Sequence, residues 1–448
     1  MNVNRKIGSL FILLALSSLL LGLLFGAFSS LQYVYPFFLK EQLSFQKTRP
    51  LHVYLVINWI FCAATGGIYS YLPSFAERKL FSPKLAWLQF FLQLIVLIIV
   101  FSGFFSGIFG GREYLEFPPW ITILIILSWI FFMINFFATV KPAFQHAPVY
   151  IWFWSTGLLF FLITICEAQL WVLPFFNNNI IRDVTVQWKA MGSMVGSWNM
   201  LVYGTAIFLM EKITGDKKIS RSAVAFFFYF LGLTNLMFNW GHHTYIVPAS
   251  PVVKTVSYFI SMTELLLLGS IIYSWRKSYL RAKQFNHRLP FSVLSYADGW
   301  VFLNLVLAII ISVPAINLYT HGTHITVAHA MGATIGINTL ILLASLLFIA
   351  ESAALTSIDK IKRNIRFAVI LVNSSLLVFW ISMIGMGLSK INSLQKGNSF
   401  YEIMDRLKPY FRIFSVSGIV LMAALAIVVI LLLSLFGKIA FCKMNQAR

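Results

Sequence analysis

The sequence predicts an all-α protein, a polytopic bundle of twelve transmembrane helices. Three observations carry that reading. Of 448 residues 59% are hydrophobic and 11% charged, with a mean hydropathy of +0.83, whereas a soluble domain carries roughly 25% charged residues and about 45–50% apolar ones. The apolar residues gather in windows of about 20 or more, the length of helix that crosses a bilayer core. The segments between windows alternate between Lys/Arg-rich and Lys/Arg-poor, as loops on the two sides of a membrane do. A soluble enzyme, a disordered chain and a nucleic-acid-binding domain are excluded.

The windows run in order. The first, 7–29, follows Arg5 and Lys6 like a cleavable signal. Ile7 to Phe28 is long enough to span, however, and no convincing small-x-small cleavage site follows, so it is read as a retained helix. Windows 51–73 and 86–108 are separated by Arg78-Lys79, and the segment Gly111 to Pro118 leads into 119–140. Windows 149–174 and 188–211 follow, then Lys217-Lys218, then 222–247 and 252–275. The basic run Arg276-Lys277 through Arg288 precedes 291–318, and a histidine-rich segment separates that window from 324–350. Lys360 through Arg366 leads into 364–388, and 409–437 is the last.

With the amino terminus inside, the two tails and the even-numbered loops hold about two thirds of the 34 Lys and Arg. Both termini are therefore expected to be cytoplasmic, and residues 1–448 to form a single transmembrane domain in the lipid bilayer. The same asymmetry accounts for the net charge of +20 without a nucleic-acid partner. Cys62, Cys166 and Cys442 are scattered, and make neither a disulfide framework nor a haem-attachment motif.

Of eight histidines, His146 and His287 fall in inner loops and are read as solvated. His52, His242, His243, His321, His324 and His329 all fall at or near the outer face, five of them on three different spans and His321 just before the third. Imidazole in a membrane protein is costly unless paired, near water or bound to metal. Convergence of several at one level points to metal or haem. Adjacent His242 and His243 can reach one ion from the same wall. His329 and Met331 are two apart, roughly 200° around a helix, so one helix can offer an axial ligand to each of two haems.

Glu167 and Glu264 are carboxylates in apolar surroundings within spans five and eight. Each reads as part of a proton or ion route, or as a neutral acid bonded to a nearby hydroxyl. Glu113 and Glu116, in Gly111-Arg-Glu-Tyr-Leu-Glu116, suit a hard cation such as calcium or a surface salt bridge.

These segments, in this order, resemble the large, haem b-containing subunit of cytochrome-c-dependent nitric oxide reductase, a branch of the haem–copper oxidase superfamily. The resemblance runs from Arg49-Pro-Leu-His52 to the end of span ten and rests on Gly111 to Glu116, Trp240-Gly-His-His243, Thr320-His-Gly-Thr-His324 through His329, and Glu264. It implies the twelve-helix fold of haem–copper oxidase subunit I, with a low-spin haem b on His52, a high-spin haem b on His329, and a non-haem iron or copper on His242 and His243. Glu113 corresponds to a calcium ligand and Glu264 to a catalytic carboxylate that delivers protons. The implied donor is a membrane-anchored cytochrome c subunit or a soluble cytochrome c. The implied substrate is a small gas, nitric oxide, reduced to nitrous oxide at the outer (periplasmic) face of the cell inner membrane.

Two positions depart from that pattern. Met331 stands where the family has the second low-spin histidine, and His–Met ligation raises the reduction potential relative to His–His. Span six, from Trp188 through Met210, holds neither the family's third histidine nor its glutamate; their places fall on Met191 and Val195. A thioether from Met191 or Met194 favours a soft ion such as Cu(I), and Asn199 can add an amide oxygen if it faces inward. Otherwise Met191 only packs. The expected activity is therefore a nitric oxide reductase-like haem oxidoreductase. The alternatives are an oxygen-reducing oxidase and a non-catalytic electron-transfer or gas-sensing haem protein.

Overall fold

The computed structural model describes residues 3–263, 269, 287–353 and 357–441. The main helices are α1 (Val3–Val34), α2 (Phe45–Phe75), α3 (Pro83–Phe105), α4 (Ile121–Val140), α5 (Val149–Glu167), α6 (Ile180–Thr214) and α7 (Ala223–Phe238). They continue with α8 (described over 251–263), α9 (Arg288–Ser312), α10 (His324–Ser352), α11 (Ser357–Gln395) and α12 (Phe400–Phe441). Among the described residues eleven helices are long and apolar enough to cross a membrane. They match eleven of the twelve expected windows, and the rest of the eighth lies outside the described residues. The protein is a multi-pass, all-helical membrane protein.

Local chemistry sets several boundaries. Ser82, Asn179, Ser222 and Thr323 each turn a side-chain oxygen onto the first free N–H groups of α3, α6, α7 and α10. Gly215, at φ 71°, ends α6 in the left-handed region that a side chain resists. Pro314 breaks the expected ninth span early, so that α9 stops at Ser312 and a short helix, Pro314–Thr320, follows.

The most buried helices are α2, α6 and α10; α3 and α7 lie at the rim. On α3, Leu88, Phe91, Ile95 and Ile98 form one exposed stripe at helical spacing, while Ala86, Gln89, Val96 and Val100 are buried. A lipid-facing helix needs that inversion, with apolar residues outward and small or polar ones inward. Polar bonds tie the central three helices together. The Trp59 indole N–H on α2 donates to Thr339 Oγ1 on α10 (3.1 Å), Tyr71 shares a bond with Ser345 (2.6 Å), and Asn338 Nδ2 donates to Asn199 Oδ1 on α6 (3.1 Å). Asn199 thus turns its amide oxygen to α10.

Helix α1 packs on α2 through Gly8, Ser18, Gly22 and Gly26, the last three spaced four apart. A β-carbon added at Gly22 would meet Leu55 and Val56 at 3.2–3.3 Å. Such small residues let two backbones approach closely. Here they bring the α1 backbone within reach of His52.

Candidate haem and metal centre

The histidines singled out from sequence gather at one end of the bundle. His52 lies in the second turn of α2, half-buried against α1. Its Nδ1 is 2.7 Å from the Gly22 carbonyl oxygen, so Nδ1–H donates and the Nε2 lone pair stays free. Gly26 is the floor beneath this ring: a β-carbon there would stand 2.7 Å from Nδ1 and 2.8 Å from Cε1.

His329 and Met331 close the first α-helical stretch of α10, His324–Met331, on opposite sides of the axis. Directly after Met331 the chain widens into a π-helix, Gly332–Thr339, before returning to α-helix. The bonds from Trp59 to Thr339 and from Tyr71 to Ser345 run α2 and α10 in the same sense. His52 precedes Trp59 by seven residues and Met331 precedes Thr339 by eight. Both residues thus lie about two turns to the same side of the Trp59–Thr339 bond, His52 and Met331 at similar height.

His242 and His243 do not continue α7 as the sequence predicts. Helix α7 ends at Phe238, and the pair sits on a 3₁₀ turn, Asn239–Thr244. Their ring centroids are 4.2 Å apart. The His242 Nδ1–H donates to Asn239 Oδ1 (3.0 Å), which also accepts from the Ser261 hydroxyl on α8. Trp188 of α6 stacks on His243 at 4.7 Å, and Met191, one turn along α6, is buried.

His321 joins this group, although sequence reading gave it no role. Its ring lies 6.2 Å from His243 and 5.8 Å from Trp188. It arrives through the short helix after Pro314 and the tight turn at Gly322, where φ is 72°. His321 Nε2, His324 Nδ1 and His329 Nδ1 are buried with no hydrogen-bond partner. Buried polar atoms without partners are uncommon, and three imidazole nitrogens in this state at one end of the bundle suit a site built for a bound group. Yet among the described residues no three His, Cys, Asp or Glu side chains come within reach of one metal ion.

The segment around Glu113 is tightly turned. The Gly110 and Gly111 N–H groups donate to the Glu116 carbonyl (2.9 and 3.0 Å), and the Leu115 and Phe117 carbonyls leave no room for a β-carbon on Gly111. Tyr114 takes φ 72°, an uncommon conformation for a bulky residue. The turn sets both carboxylates on the Arg49 guanidinium, Nη2 to Glu113 (2.6 Å) and Nη1 to Glu116 (2.9 Å). Glu113 is exposed, while burial raises the Glu116 carboxyl above its usual range despite Arg49. Neighbouring charges are also paired: Arg112 with Asp183, and Glu167 with Lys189 across α5 and α6. Glu167 therefore ends its helix as half of an ion pair, rather than standing isolated among apolar residues.

Glu264 lies outside the described residues. Three other carboxylates, Glu211, Asp298 and Glu351, are buried and were passed over in sequence. Asp298 sits inside the ninth window, where a lone charge among apolar residues was the available signal. His287, expected to be solvated, places Nδ1 2.9 Å from Glu351 Oε2.

Residues 6–420 match the family model described as Cytochrome C and Quinol oxidase polypeptide I. The chain is 24% identical over 348 residues to a nitric oxide reductase subunit of Stutzerimonas stutzeri, covering 71% of this chain and 70% of that one. It is 21% identical over 431 residues to the Cbb3-type cytochrome c oxidase subunit CcoN1 of the same organism, covering 91% and 90%. The cryo-EM structure of a heme–copper terminal oxidase dimer superposes with a TM-score of 0.78 at 15% identity, over 98% of this chain and 84% of that one. At such identity the superposition speaks for the fold, and the family match covers most of the sequence: this chain belongs to the Cytochrome C and Quinol oxidase polypeptide I family, the subunit I of heme–copper oxidases.

Proposed function

We propose that this protein passes electrons from a cytochrome c to a haem beside His329, where a diatomic gas, nitric oxide first, is reduced. The observation that carries the reading is the gathering of His242, His243, His321 and His329 at the end of the bundle where α2 offers the free Nε2 of His52. Family membership makes the chain an oxidoreductase by kinship, and haem is the group its residues fit. A bound haem supplies a redox-active iron; the protein's part is to hold it and control what reaches it.

His52 is suited to ligate a low-spin haem b, because its Nδ1 is already committed to the Gly22 carbonyl and the ring cannot turn freely. Met331 is the proposed partner ligand, at a similar height and facing away from His329, which is left for a high-spin haem b. His242 and His243 would face that second haem from the turn that follows α7. Reduction of two nitric oxide molecules takes two electrons and two protons, forming nitrous oxide and water. In this reading Glu264 feeds the protons, Glu113 retains its calcium assignment beside Arg49, and electrons enter from a membrane-anchored or soluble cytochrome c on the periplasmic side of the inner membrane.

Oxygen is the second reading, supported by the Cbb3-type relative, which covers more of the chain than the reductase does. Span six lacks the His-x-x-x-Tyr pattern of the main oxidase type, which counts against that type, just as it lacks the reductase's third histidine and glutamate. The test is gas consumption by the detergent-purified protein with reduced cytochrome c. Loss of nitric oxide with nitrous oxide appearing supports the first reading. Oxygen uptake without nitric oxide loss replaces it with the second, and a haem-loaded protein that consumes neither gas sinks both.

A further inference from the structure

We infer that the pocket beside His329 works with a single iron, because a Trp188–His243 stack takes the place where a second metal would need its remaining ligands. The inference rests on the haem reading above and specifies how that site would work.

His242 and His243 can supply two imidazoles to an ion, and the wall opposite them is α6. On α6, Trp188, Met191, Gly192, Val195 and Gly196 are three or four residues apart and share a face. The helix is pressed hard onto the histidine turn. A β-carbon on Gly192 would stand 2.6 Å from Trp240 Cβ and 3.8 Å from His243 Cδ2, and one on Gly196 would stand 3.0 Å from Leu236. Trp188 and Met191 are the two long side chains on this face, and Trp188 lies against His243 and His321. The indole offers no lone pair to a metal, because its nitrogen is a donor only. It lies flat on His243, planes 12° from parallel, and edge-on to His321.

Met191 offers a thioether, a soft donor that iron does not favour. The His242 Nδ1 is held by Asn239, and His321 lies 6.2 Å from His243, ring to ring. Among the described residues no third His, Cys, Asp or Glu completes a set around one ion. The stack fixes the His243 imidazole, and the Asn239 amide oxygen fixes that of His242.

The consequence is an order of events. With one iron, two nitric oxide molecules would meet in succession rather than side by side. One N–N bond would form and one N–O bond break, the oxygen leaving as water with two protons, and the two electrons would be those supplied by the cytochrome c donor. The stoichiometry of reduction is unchanged.

The test counts metals in the full-length, detergent-purified protein after exposure to Fe(II) and, separately, Cu(I). Haem is measured as the pyridine haemochrome, and total iron and copper by elemental analysis. The expected result is total iron equal to haem iron, with no copper. A further iron or copper per chain overturns the inference and leaves the haem reading standing, whereas protein without haem defeats the haem reading itself. The double variant Met191→His, Val195→Glu restores an imidazole and a carboxylate to the α6 face. It is expected to gain one non-haem iron per chain, and failure to gain any would show that this face is not the missing half of a metal site.

Discussion

The Trp188 indole lies flat on the His243 imidazole, with ring centroids 4.7 Å apart. Its neighbour in sequence, His242, is held differently, by a hydrogen bond from Nδ1 to Asn239. Two adjacent histidines thus have two separate restraints, one from α6 and one from their own turn braced by Ser261 of α8. Aromatic pairs contribute about 0.5–1.5 kcal/mol beyond the area they bury, and a satisfied buried hydrogen bond contributes about 1 kcal/mol. The two rings are therefore oriented by comparable amounts.

Asn239→Ala should test the second restraint. It leaves the His242 Nδ1–H and the Ser261 hydroxyl without their shared acceptor, at an expected cost of about 1–3 kcal/mol. Thermal unfolding should show the loss, and Asn239→Asp, which keeps an oxygen in place, should recover most of it. Equal loss in both variants would argue that the amide acts by packing alone.

Gly26→Ala should strike the His52 site without touching a ligand. The new methyl would sit 2.7–2.8 Å from the ring, so the imidazole must tilt or α1 must move. Overpacking of this kind costs about 1–3 kcal/mol. The expected readout is a haem-to-protein ratio about half that of the parent at similar expression. An unchanged ratio would separate His52 from haem binding.

Substituting Met331→His should shift the low-spin visible bands and lower the midpoint potential of that haem, because imidazole stabilises the oxidised iron more than a thioether does. A redox titration followed at the low-spin α-band reads both effects. Identical spectra and potential would leave Met331 as a packing residue.

Glu116 gives a pH signature. Burial holds its carboxyl above the usual 4.5 in the folded chain, against the opposing pull of Arg49. The folded state therefore keeps a proton that the unfolded state releases. Stability from this group is present below 4.5 and is lost as pH rises through the raised value. Glu116→Gln should flatten the melting temperature across that window, whereas exposed Glu113→Gln should leave the slope in place. A slope that persists in Glu116→Gln assigns it to another group. Arg49→Ala should cost about 1–3 kcal/mol at neutral pH, mostly through the half-buried Glu116 left without its partner.

Much of the architecture is legible in the sequence because a bilayer requires long apolar windows, and eleven of these reappear as helices. His52, His242, His243 and His329 stood out because imidazole is rare and expensive in such windows. His321 was among the six histidines expected near the outer face, but it received no ligand role because it falls in a loop, and Pro314 and Gly322 together bring it back to His243. The Glu167–Lys189 pair joins two helices through a connection of irregular turns, and no periodicity reports on which charges meet across that gap.

Composition and spacing alone determined an all-helical membrane protein with histidines concentrated at one end, because helix length and hydropathy are local properties of the chain. Whether adjacent histidines form the open half of a metal site or one side of an aromatic stack depended on how closely α6 approaches the turn after α7. Gly192 and Gly196 set that approach by the side chains they lack, and Trp188 then fills the space. Such contacts exist only when helices distant in sequence are packed together.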